Sequence, residues 1–567
     1  MRPTTRARGL GSATSEARRE FLLSAFGAPL VASWLAQGCA AQLDERQASS
    51  VQGRLLGQDA ASGHMLRDDL QARIAHVAGL PAVRTGAVIV GGGPAGLSAA
   101  YALARGDYHD FVLLELEPEL GGTSRGDSSS VTAYPWGAHY LPVPQRHNGA
   151  LVTLLEEMGV LSGSDDDGRL QVSEPFLLRT PEERVFYRGF WYSGLYLEAG
   201  ASAADLAERA RFEREIASWT GYRDGQGRRA FTLPLRLASD APELRALDAI
   251  SARAWLGQRG FRSPRLLWLL DYACRDDYGL GLAETSAWAL LFYFAARIER
   301  VGESPSGLIT WPEGNFALVR HLRRASEGRV RSRALVLDVL DHPDGVEVLG
   351  WDVAQDRGFR YLAERAVLAT PRFISQRIVR SLRDDPLHVP PSLAASYAPW
   401  LVANLHLRER PRARGAQLAW DNVLYDSPSL GYVCATHQRG SDYGPTVLTY
   451  YLPLTDADPR RARQKLFDGD YARWRDAVLL DLGRAHPDLL GLVTQLDVFR
   501  WGHAMVRPSV RARYGTGRLE AARMRGRLHF AHSDLSGVSL FEEAFDHGVR
   551  AAGELLAVLR PSAVGTP

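Results

Sequence analysis

Three glycines in one short stretch have the spacing needed to bind a diphosphate. Gly91, Gly93 and Gly96 follow the apolar run Ala87–Val90 and precede small residues typical of a helix. In a Rossmann βαβ unit the first glycine permits a tight turn and the second lets the backbone approach a pyrophosphate. The third lets the helix pack against the strand. The spacing therefore predicts a dinucleotide-binding turn.

The elements on either side of this turn fit the same interpretation. A helix predicted over Ala95–Arg105, with Pro94 at its start, directs backbone N–H groups and the positive end of its dipole at the phosphates. A second strand, Phe111–Leu114, leads into Glu115, 19 residues beyond Gly96. A Rossmann unit has an acidic residue at about this distance to bind the ribose hydroxyls. Dinucleotide binding is therefore favoured over a structural turn without a ligand.

A second glycine-rich motif indicates which dinucleotide to expect. The segment Glu117–Arg125 contains the paired glycines Gly121 and Gly122 and ends in an arginine. It resembles the second signature of the flavin-containing amine oxidase superfamily, which includes monoamine and polyamine oxidases, protoporphyrinogen oxidase and phytoene desaturases. In that family the paired glycines and the arginine, here Arg125, lie beside the FAD pyrophosphate. The resemblance implies FAD rather than NAD as the cofactor.

Other matches to this family assign residues to both ends of the cofactor. In the segment Tyr134–Pro142, Gly137 and Ala138 match the backbone that runs beneath the isoalloxazine ring. His139 either faces the ring or is a buried histidine satisfied by its surroundings. Val336 matches the valine whose backbone meets the adenine.

The C-terminal region resembles the family's last FAD strand, acidic residue and closing helix. Asp534 stands where the family has a glutamate near the ribityl and phosphate groups, and Phe541 begins the closing helix. Upstream, Trp501 stands where amine oxidases have a flavin-facing tryptophan. His503 is a candidate polar residue at the flavin, because a neutral imidazole can accept or donate a proton, although a histidine satisfied by the backbone is the alternative. The candidate catalytic residues are Trp501, His503 and His139.

One polar cluster lies outside these motifs. Arg275, Asp276, Asp277 and Tyr278 end a predicted helix that begins at residue 264, and an almost wholly apolar helix pattern follows over residues 283–297. The cluster is either functional or a helix C-terminal turn exposed to water.

The order of the motifs predicts an α/β fold. We expect a Rossmann-like FAD-binding domain assembled from three chain segments, plus a mixed α/β substrate domain built from the two insertions. The predicted division is a twin-arginine signal peptide at 1–40, a linker with one short helix (about 66–77) at 41–84, FAD-binding segments at 85–175, 301–375 and 500–560, and substrate-domain segments at 176–300 and 376–499.

The composition is that of a globular protein. The chain has 567 residues, of which 46% are hydrophobic and 23% charged, so it can form two or three domains. A net charge of +2 does not indicate the strongly basic surface that is typical of nucleic-acid-binding proteins. We find no zinc-type cysteine or histidine spacing and expect no metal site. Three cysteines, Cys39, Cys274 and Cys434, do not make a disulfide framework.

The first 40 residues resemble an export signal. The pair Arg18 and Arg19 precedes a moderately apolar run over residues 21–36, as in a twin-arginine signal. This run is too short and too interrupted for a transmembrane helix, and we expect no integral membrane span. Cys39 follows a degenerate lipoprotein box, so a lipid anchor and ordinary signal cleavage are both open. The expected location is periplasmic, or extracytoplasmic and membrane-associated.

The combined motifs indicate an FAD-dependent oxidoreductase that takes a hydride from a substrate C–H onto flavin N5. The substrate is a small molecule, either an amine or an apolar compound such as a terpenoid or porphyrinogen. The alternative is a binding or assembly protein that keeps FAD without turnover.

The single lysine of the chain bears on the electron acceptor. Many amine oxidases of the resembled family have a lysine beside flavin N5, a feature tied to their reaction with oxygen. Lys465 instead lies in a charge-rich helix pattern that runs from residue 459 to about 482, which is typical of a solvated face. We therefore expect electrons to pass to a quinone or another carrier. We also expect non-covalent FAD, because the family's covalent linkage uses a cysteine near the C-terminal segment and Cys434 is the last cysteine.

Overall fold

The protein is described here from a computed structural model, in which residues 45–67, 70–305, 307–383, 397–441, 443–514 and 518–559 are described. The predicted twin-arginine segment and Cys39 lie outside these residues. None of the helices within these ranges is long and apolar enough to cross a membrane.

Runs of helices and runs of strands follow one another along the chain. The helices are α1 Glu45–Ser50, α2 Ala60–His64, α3 Leu70–Ala78, α4 Pro94–Arg105, α5 Gly149–Glu157, α6 Ala203–Gly221, α7 Pro242–Asp248, α8 Ala252–Gln258, α9 Pro264–Tyr278, α10 Ala287–Ala295, α11 Phe316–Leu322, α12 Arg372–Ile378, α13 Arg380–Arg383, α14 Pro459–Asp468, α15 Tyr471–Gly483, α16 Leu489–Leu492, α17 Arg518–Ala521 and α18 Phe541–Leu559. The strands are β1 Leu55–Gly57, β2 Val83–Val90, β3 Phe111–Leu114, β4 Gly126–Ser128, β5 Ala133–Pro135, β6 Tyr140–Pro142, β7 Leu161–Ser164, β8 Leu170–Val172, β9 Glu183–Tyr187, β10 Phe190–Ser193, β11 Leu308–Thr310, β12 Val330–Arg331, β13 Ala334–His342, β14 Gly345–Asp352, β15 Arg357–Leu368, β16 Tyr397–Leu407, β17 Asp421–Leu424, β18 Tyr432–Cys434, β19 Thr446–Pro453, β20 Val493–Val506 and β21 Leu528–Phe530.

The first large sheet has the strand order β12–β3–β2–β15–β14–β13, with β21 paired to the end of β15. Strand β2 pairs in parallel with β3 and β15, whereas β13, β14 and β15 form an antiparallel meander. The residues Ala87 to Val90 of β2 are all buried, as expected of a central strand with both faces covered. This Rossmann-like arrangement confirms the predicted fold class.

The closing helix α18 packs closely against α4, the helix that follows the glycine turn. A Cβ atom at Gly548 would lie 2.3 Å from the carbonyl oxygen of Ala95, so the close approach requires glycine. Apolar residues of both helices, including Leu97, Phe545 and Leu555, share one buried core. This packing fixes the N-terminus of α4 at the edge of the sheet.

The second large sheet has the strand order β1–β20–β16–β19–β18–β17–β9–β10. Helices α6 to α10 pack beside it around a separate core rich in aromatic side chains. Helix α9 has its predicted bounds, Pro264–Tyr278. Helix α10 begins at Ala287, later than the apolar pattern predicts, because the side chain of Ser286 caps it by accepting the N–H of Ala289.

The N-terminal segment up to β2 is more structured than its polar composition predicts. Its helix α3 begins at Leu70, and the segment also forms α1, α2 and β1. Strand β1 pairs in parallel with β20 of the second sheet, with Leu55 opposite Val498. This part of the chain is therefore integrated with both sheets.

Candidate functional site

The glycine turn between β2 and α4 forms a cradle without side chains. Gly91 has a φ of +106°, and a Cβ atom there would lie 2.7 Å from the carbonyl oxygen of Ala369. A Cβ at Gly96 would lie 1.9 Å from the carbonyl oxygen of Gly91, so Gly96 allows the helix to pack on the turn. These two glycines are needed for the fold of the turn itself.

Gly93 faces the second glycine-rich loop across a cavity. A Cβ at Gly93 would have only the Cα of Gly122 within reach, at 4.0 Å, and would otherwise enter open space. Gly122 has a φ of +53°, and the N–H of Gly121 donates to the carbonyl of Gly92 at 2.9 Å. The two loops thus place bare backbone on opposite sides of the helix N-terminus, as a pyrophosphate requires.

This cradle is part of a cavity of about 700 Å³, a volume typical of sites for cofactor-sized ligands. The cavity runs from the meander past the glycine loops to β20. The predicted site residues that line it are Gly91, Gly93, Pro94, Ala95, Glu115, Gly122, Arg125, Ala138, Val336, Trp501, His503 and Phe541. Residues between Gln58 and Arg67 also line it, which the sequence analysis missed because it treated them as a linker.

Two charged residues at the cradle are held in place by their neighbours. Glu115 accepts the N–H groups of Gly92 at 2.6 Å and Glu117 at 2.8 Å, and burial raises its pKa above the ordinary value. Arg125 lies 3.6 Å from Glu117 and 3.2 Å from Glu119. Within the described ranges the buried Nε of Arg125 has no hydrogen-bond partner, so it can donate to an anionic ligand in the cavity. The residues present therefore fit FAD.

Asp534 is buried beside the cavity but does not line it. Its carboxylate accepts the N–H of Arg372 at 2.6 Å and the hydroxyl of Tyr397. Burial opposes its ionisation, yet the charge and hydrogen bond of His532 hold the pKa of Asp534 below its usual range. In this structure Asp534 positions the start of α12, and its contact with the cofactor remains a prediction of the resemblance.

A second, smaller cavity of about 170 Å³ adjoins the first. The residues that line both are Thr123, Ala138, Trp501, Ala504, Ser539, Leu540 and Phe541. Trp501 is fixed by the hydrogen bond from its Nε1 to the carbonyl of Trp136, at 2.7 Å, and by stacking on Phe499. Of the predicted residues, Gly137 and His139 line only the second cavity. This cavity is the candidate substrate site.

The two candidate histidines lie in different cavities. His139 stacks on Tyr451 with ring centroids 4.6 Å apart, and burial lowers its pKa to about 4. His503 stacks on Phe373 at 4.6 Å and lines only the larger cavity. Burial and, to a smaller extent, the charge of Arg463 lower the pKa of His503 to about 3. Both imidazoles are therefore neutral near pH 7. Of the three candidate catalytic residues, His139 and Trp501 line the candidate substrate site and His503 does not.

The polar cluster at the end of α9 is not exposed to bulk water, so its interpretation as an exposed turn is wrong: Arg275, Asp277 and Tyr278 are buried, and Asp276 and Asp277 line the second cavity. Asp277 accepts hydrogen bonds from Arg297, with nitrogen–oxygen distances of 3.0 and 3.1 Å, and from the hydroxyl of Tyr140 at 3.3 Å. Glu542 also lines this cavity. Glu542 and Arg297 were not predicted as site residues, because the sequence around them contains no motif that marks a cavity residue.

The side chain of Asp276, within helix α9, makes no hydrogen bond or ion pair with the residues that the structure describes. Burial, together with the adjacent charge of Asp277, raises the pKa of Asp276 to about 7. Burial likewise raises the pKa of Glu542 to about 7. The cavity therefore contains carboxylates whose negative charges the protein only partly compensates.

Lys465 lines neither cavity. It lies on α14, the first of two helices that replace the single charge-rich helix predicted here, and its Nζ donates to Asp456 at 2.8 Å. The described cysteines, Cys274 and Cys434, are buried and line neither cavity.

The Rossmann-like fold, the bare backbone cradle and the adjoining second cavity define a dinucleotide-dependent enzyme. The family follows from comparison with known proteins. Residues 94–556 match the family model for flavin containing amine oxidoreductases, and the chain belongs to this family. It is therefore an FAD-dependent oxidoreductase, as its sequence predicts.

Solved structures show the same fold at low sequence identity. Putrescine oxidase bound to putrescine matches with a TM-score of 0.60 and 17% identity, covering 84% of this chain and 100% of that one. Cyclohexylamine oxidase from Brevibacterium oxydans IH-35A matches with a TM-score of 0.56 and 14% identity, covering 84% and 99%. A fatty acid isomerase from P. acnes that produces CLA matches with a TM-score of 0.54 and 15% identity, covering 83% and 98%. A search of curated proteins gives no match.

Replacing Gly93 by alanine is expected to lower FAD occupancy. The added methyl group enters the open space that we assign to the pyrophosphate, and crowding the bound cofactor costs about 1–3 kcal/mol, or roughly 5- to 150-fold in affinity. Occupancy is measured as FAD released by acid precipitation per mole of protein. The matched control is Gly553→Ala on α18, where no described atom lies within 4 Å of the new Cβ. Equal occupancy in the two variants would contradict the assignment of the cradle, and flavin retained in the pellet would contradict non-covalent binding.

Proposed function

We propose that this enzyme oxidises a small amine, which it recognises as a cation through Asp276. The observation that carries the proposal is the Asp276 carboxylate, which is half-buried and lines the second cavity without a hydrogen-bond or ion-pair partner among the described residues. An ionised carboxylate removed from water is costly unless a charge of opposite sign pairs with it. A substrate ammonium supplies that charge.

The charge balance of the cavity favours an amine over an apolar substrate. Three carboxylates, those of Asp276, Asp277 and Glu542, line it together with one guanidinium. Arg297 is hydrogen-bonded to Asp277, so its charge compensates the other two acids only in part. An apolar compound would exclude water from these acids and give them no hydrogen-bond partner.

The remaining wall of the cavity is aromatic, which suits the same substrate class. Aromatic faces attract cations, by about 0.5–2 kcal/mol for each well-placed ring. They also bury the hydrocarbon part of a small amine. The aromatic residues that line the cavity are Tyr140, Phe292, Tyr293, Trp400, Tyr451, Trp501 and Phe541.

The reaction removes a proton from the ammonium and a hydride equivalent from the carbon next to nitrogen, which leaves a protonated imine. FAD, when bound, accepts the hydride equivalent. Asp276 binds the ammonium and takes its proton as the amine becomes neutral, a role that its raised pKa suits at neutral pH. Trp501, fixed by Trp136, orients the substrate where the two cavities meet.

Replacing Asp276 by asparagine is expected to lower kcat/KM for amines by about 10²-fold, since a hydrogen bond to a charged group contributes about 1.5–3 kcal/mol. Because the pKa of Asp276 is raised, it is neutral below about pH 7 and becomes the binding anion above it. In the wild-type enzyme kcat/KM therefore rises as pH increases through about 7, and in Asp276→Asn this rise is smaller, with Glu542 responsible for what remains.

The control is Asp271→Asn, which removes the same charge from helix α9 at a position that does not line the cavity. It is expected to keep the pH profile of the wild-type enzyme. An unchanged kcat/KM and pH profile in Asp276→Asn would contradict the proposed recognition of the amine.

We further propose that electrons leave the reduced enzyme to a quinone or another carrier. The support is the position of Lys465, which pairs with Asp456 and lines neither cavity. A lysine placed beside the flavin would stabilise the negative charge that develops on oxygen during reoxidation. Reduced enzyme mixed in a stopped-flow instrument with soluble quinone is expected to reoxidise faster than in air-saturated buffer. Faster reoxidation by oxygen would contradict this proposal.

A further inference from the structure

Residues 51–67 cross from the second sheet to the cofactor cavity and then to the first sheet. We call this segment the N-terminal strap. It precedes the residues that match the family model, and neither glycine motif includes it. Its contacts with β20 at one end and with the FAD-binding domain at the other determine how firmly it closes the cofactor cavity.

One end of the strap is anchored to β20 by Arg54. Its guanidinium donates two hydrogen bonds to the buried carboxylate of Asp497, at 2.9 and 2.6 Å, and its N–H donates to the same side chain at 2.8 Å. A Cβ at Gly53 would lie 1.8 Å from the carbonyl oxygen of Leu496, so the strap lies directly against the strand. Because charge-assisted hydrogen bonds are stronger than neutral ones, these three contacts attach this end of the strap to β20.

The middle of the strap forms a wall of the cofactor cavity. Gln58, Asp59, Ala60, Gly63, His64 and Arg67 all line it. The N–H of Asp59 donates to Glu117 at 2.8 Å, and the Asp59 carboxylate lies 3.4 Å from Arg333. Glu115 and Val336 line the same cavity, so the wall borders the part that the family resemblance assigns to adenosine.

The other end of the strap is anchored in the core of the FAD-binding domain. Leu66 is buried among the residues of the meander, and α3 continues the packing through Ile74 and Val77. A Cβ at Gly358 would lie 2.6 Å from Val77, which shows how closely α3 approaches strand β15. The strap is therefore fixed on both sides of the cavity that it borders.

We propose that the N-terminal strap is a cofactor-retaining segment, and that FAD leaves the protein only when the strap detaches from β20. A ligand behind a wall attached at both ends needs local opening of that wall before it can dissociate. Such opening must break the ion pair between Arg54 and Asp497 together with the backbone pairing of β1 with β20. This inference rests on the FAD cofactor of the family and is independent of the proposed amine substrate.

The test measures FAD dissociation from the full-length, FAD-loaded protein. Asp497→Asn preserves the shape of the buried side chain and removes its charge, and Arg54→Gln weakens the same contact from the strap. Each variant is expected to release FAD about tenfold faster than the wild type, equivalent to about 1.4 kcal/mol. The double variant is expected to release FAD no faster than the single variants, because both changes act on one bond. Release is followed by flavin fluorescence in solution, and far-UV circular dichroism is recorded in parallel.

The matched control is Asp224→Asn, which removes a similarly buried carboxylate from an ion pair with Arg228 outside both cavities. Its FAD release is expected to match the wild type. The proposal is overturned if the Asp497 and Arg54 variants release FAD at the wild-type rate or if the control accelerates equally. It is also overturned if the effects of the two changes add or if circular dichroism is lost before flavin is released. Asp497 lines neither cavity. Faster release of FAD from a folded Asp497→Asn variant would therefore result from loosening of the strap and not from loss of a direct contact with the cofactor.

Discussion

The close approach of two bare stretches of backbone, at Gly93 and Gly122, is the constraint on which the rest of the structure depends. A pyrophosphate can be bound by N–H groups only where side chains do not separate it from the main chain. The first loop is held at that distance by β2 and α4, and α18 presses against α4 through Gly548. Three separate parts of the chain therefore meet at one turn, which explains why the FAD-binding domain is assembled from distant segments.

The second constraint is the burial of acidic groups next to the cofactor cavity. Asp277 is paired with Arg297, and burial raises the pKa of all three acids, Asp276, Asp277 and Glu542, above the ordinary value. Burying acidic groups of this kind destabilises a core unless opposite charges or hydrogen bonds, such as those of a bound ligand, offset the cost of removing them from water. These acids line the same cavity as Trp501, and Trp501 also lines the cofactor cavity.

Local signals could be predicted from the sequence, and long-range contacts could not. The spacing of Gly91, Gly93 and Gly96 describes one turn, and its geometry is set by the residues within it. The bounds of helix α9 could likewise be predicted from its helical periodicity. Its burial at the cavity could not, because it depends on contacts of Asp277 with Arg297 and Tyr140, which belong to other segments of the chain. The strap escaped prediction for the same reason, since pairing of Leu55 with Val498 joins residues more than 400 positions apart. The polar composition of the strap indicates a linker, because the sequence does not show that β20 pairs with it.

The most direct test of the account is to mix the oxidised enzyme with small primary amines in the absence of oxygen and follow the visible absorption band of the flavin. Reduction bleaches this band, so the measurement reports transfer of electrons from the substrate without involving an acceptor. The account predicts bleaching by an amine and no bleaching by an apolar compound of equal size that lacks the nitrogen. Bleaching by the apolar compound, with an unchanged band after addition of the amines, would contradict it.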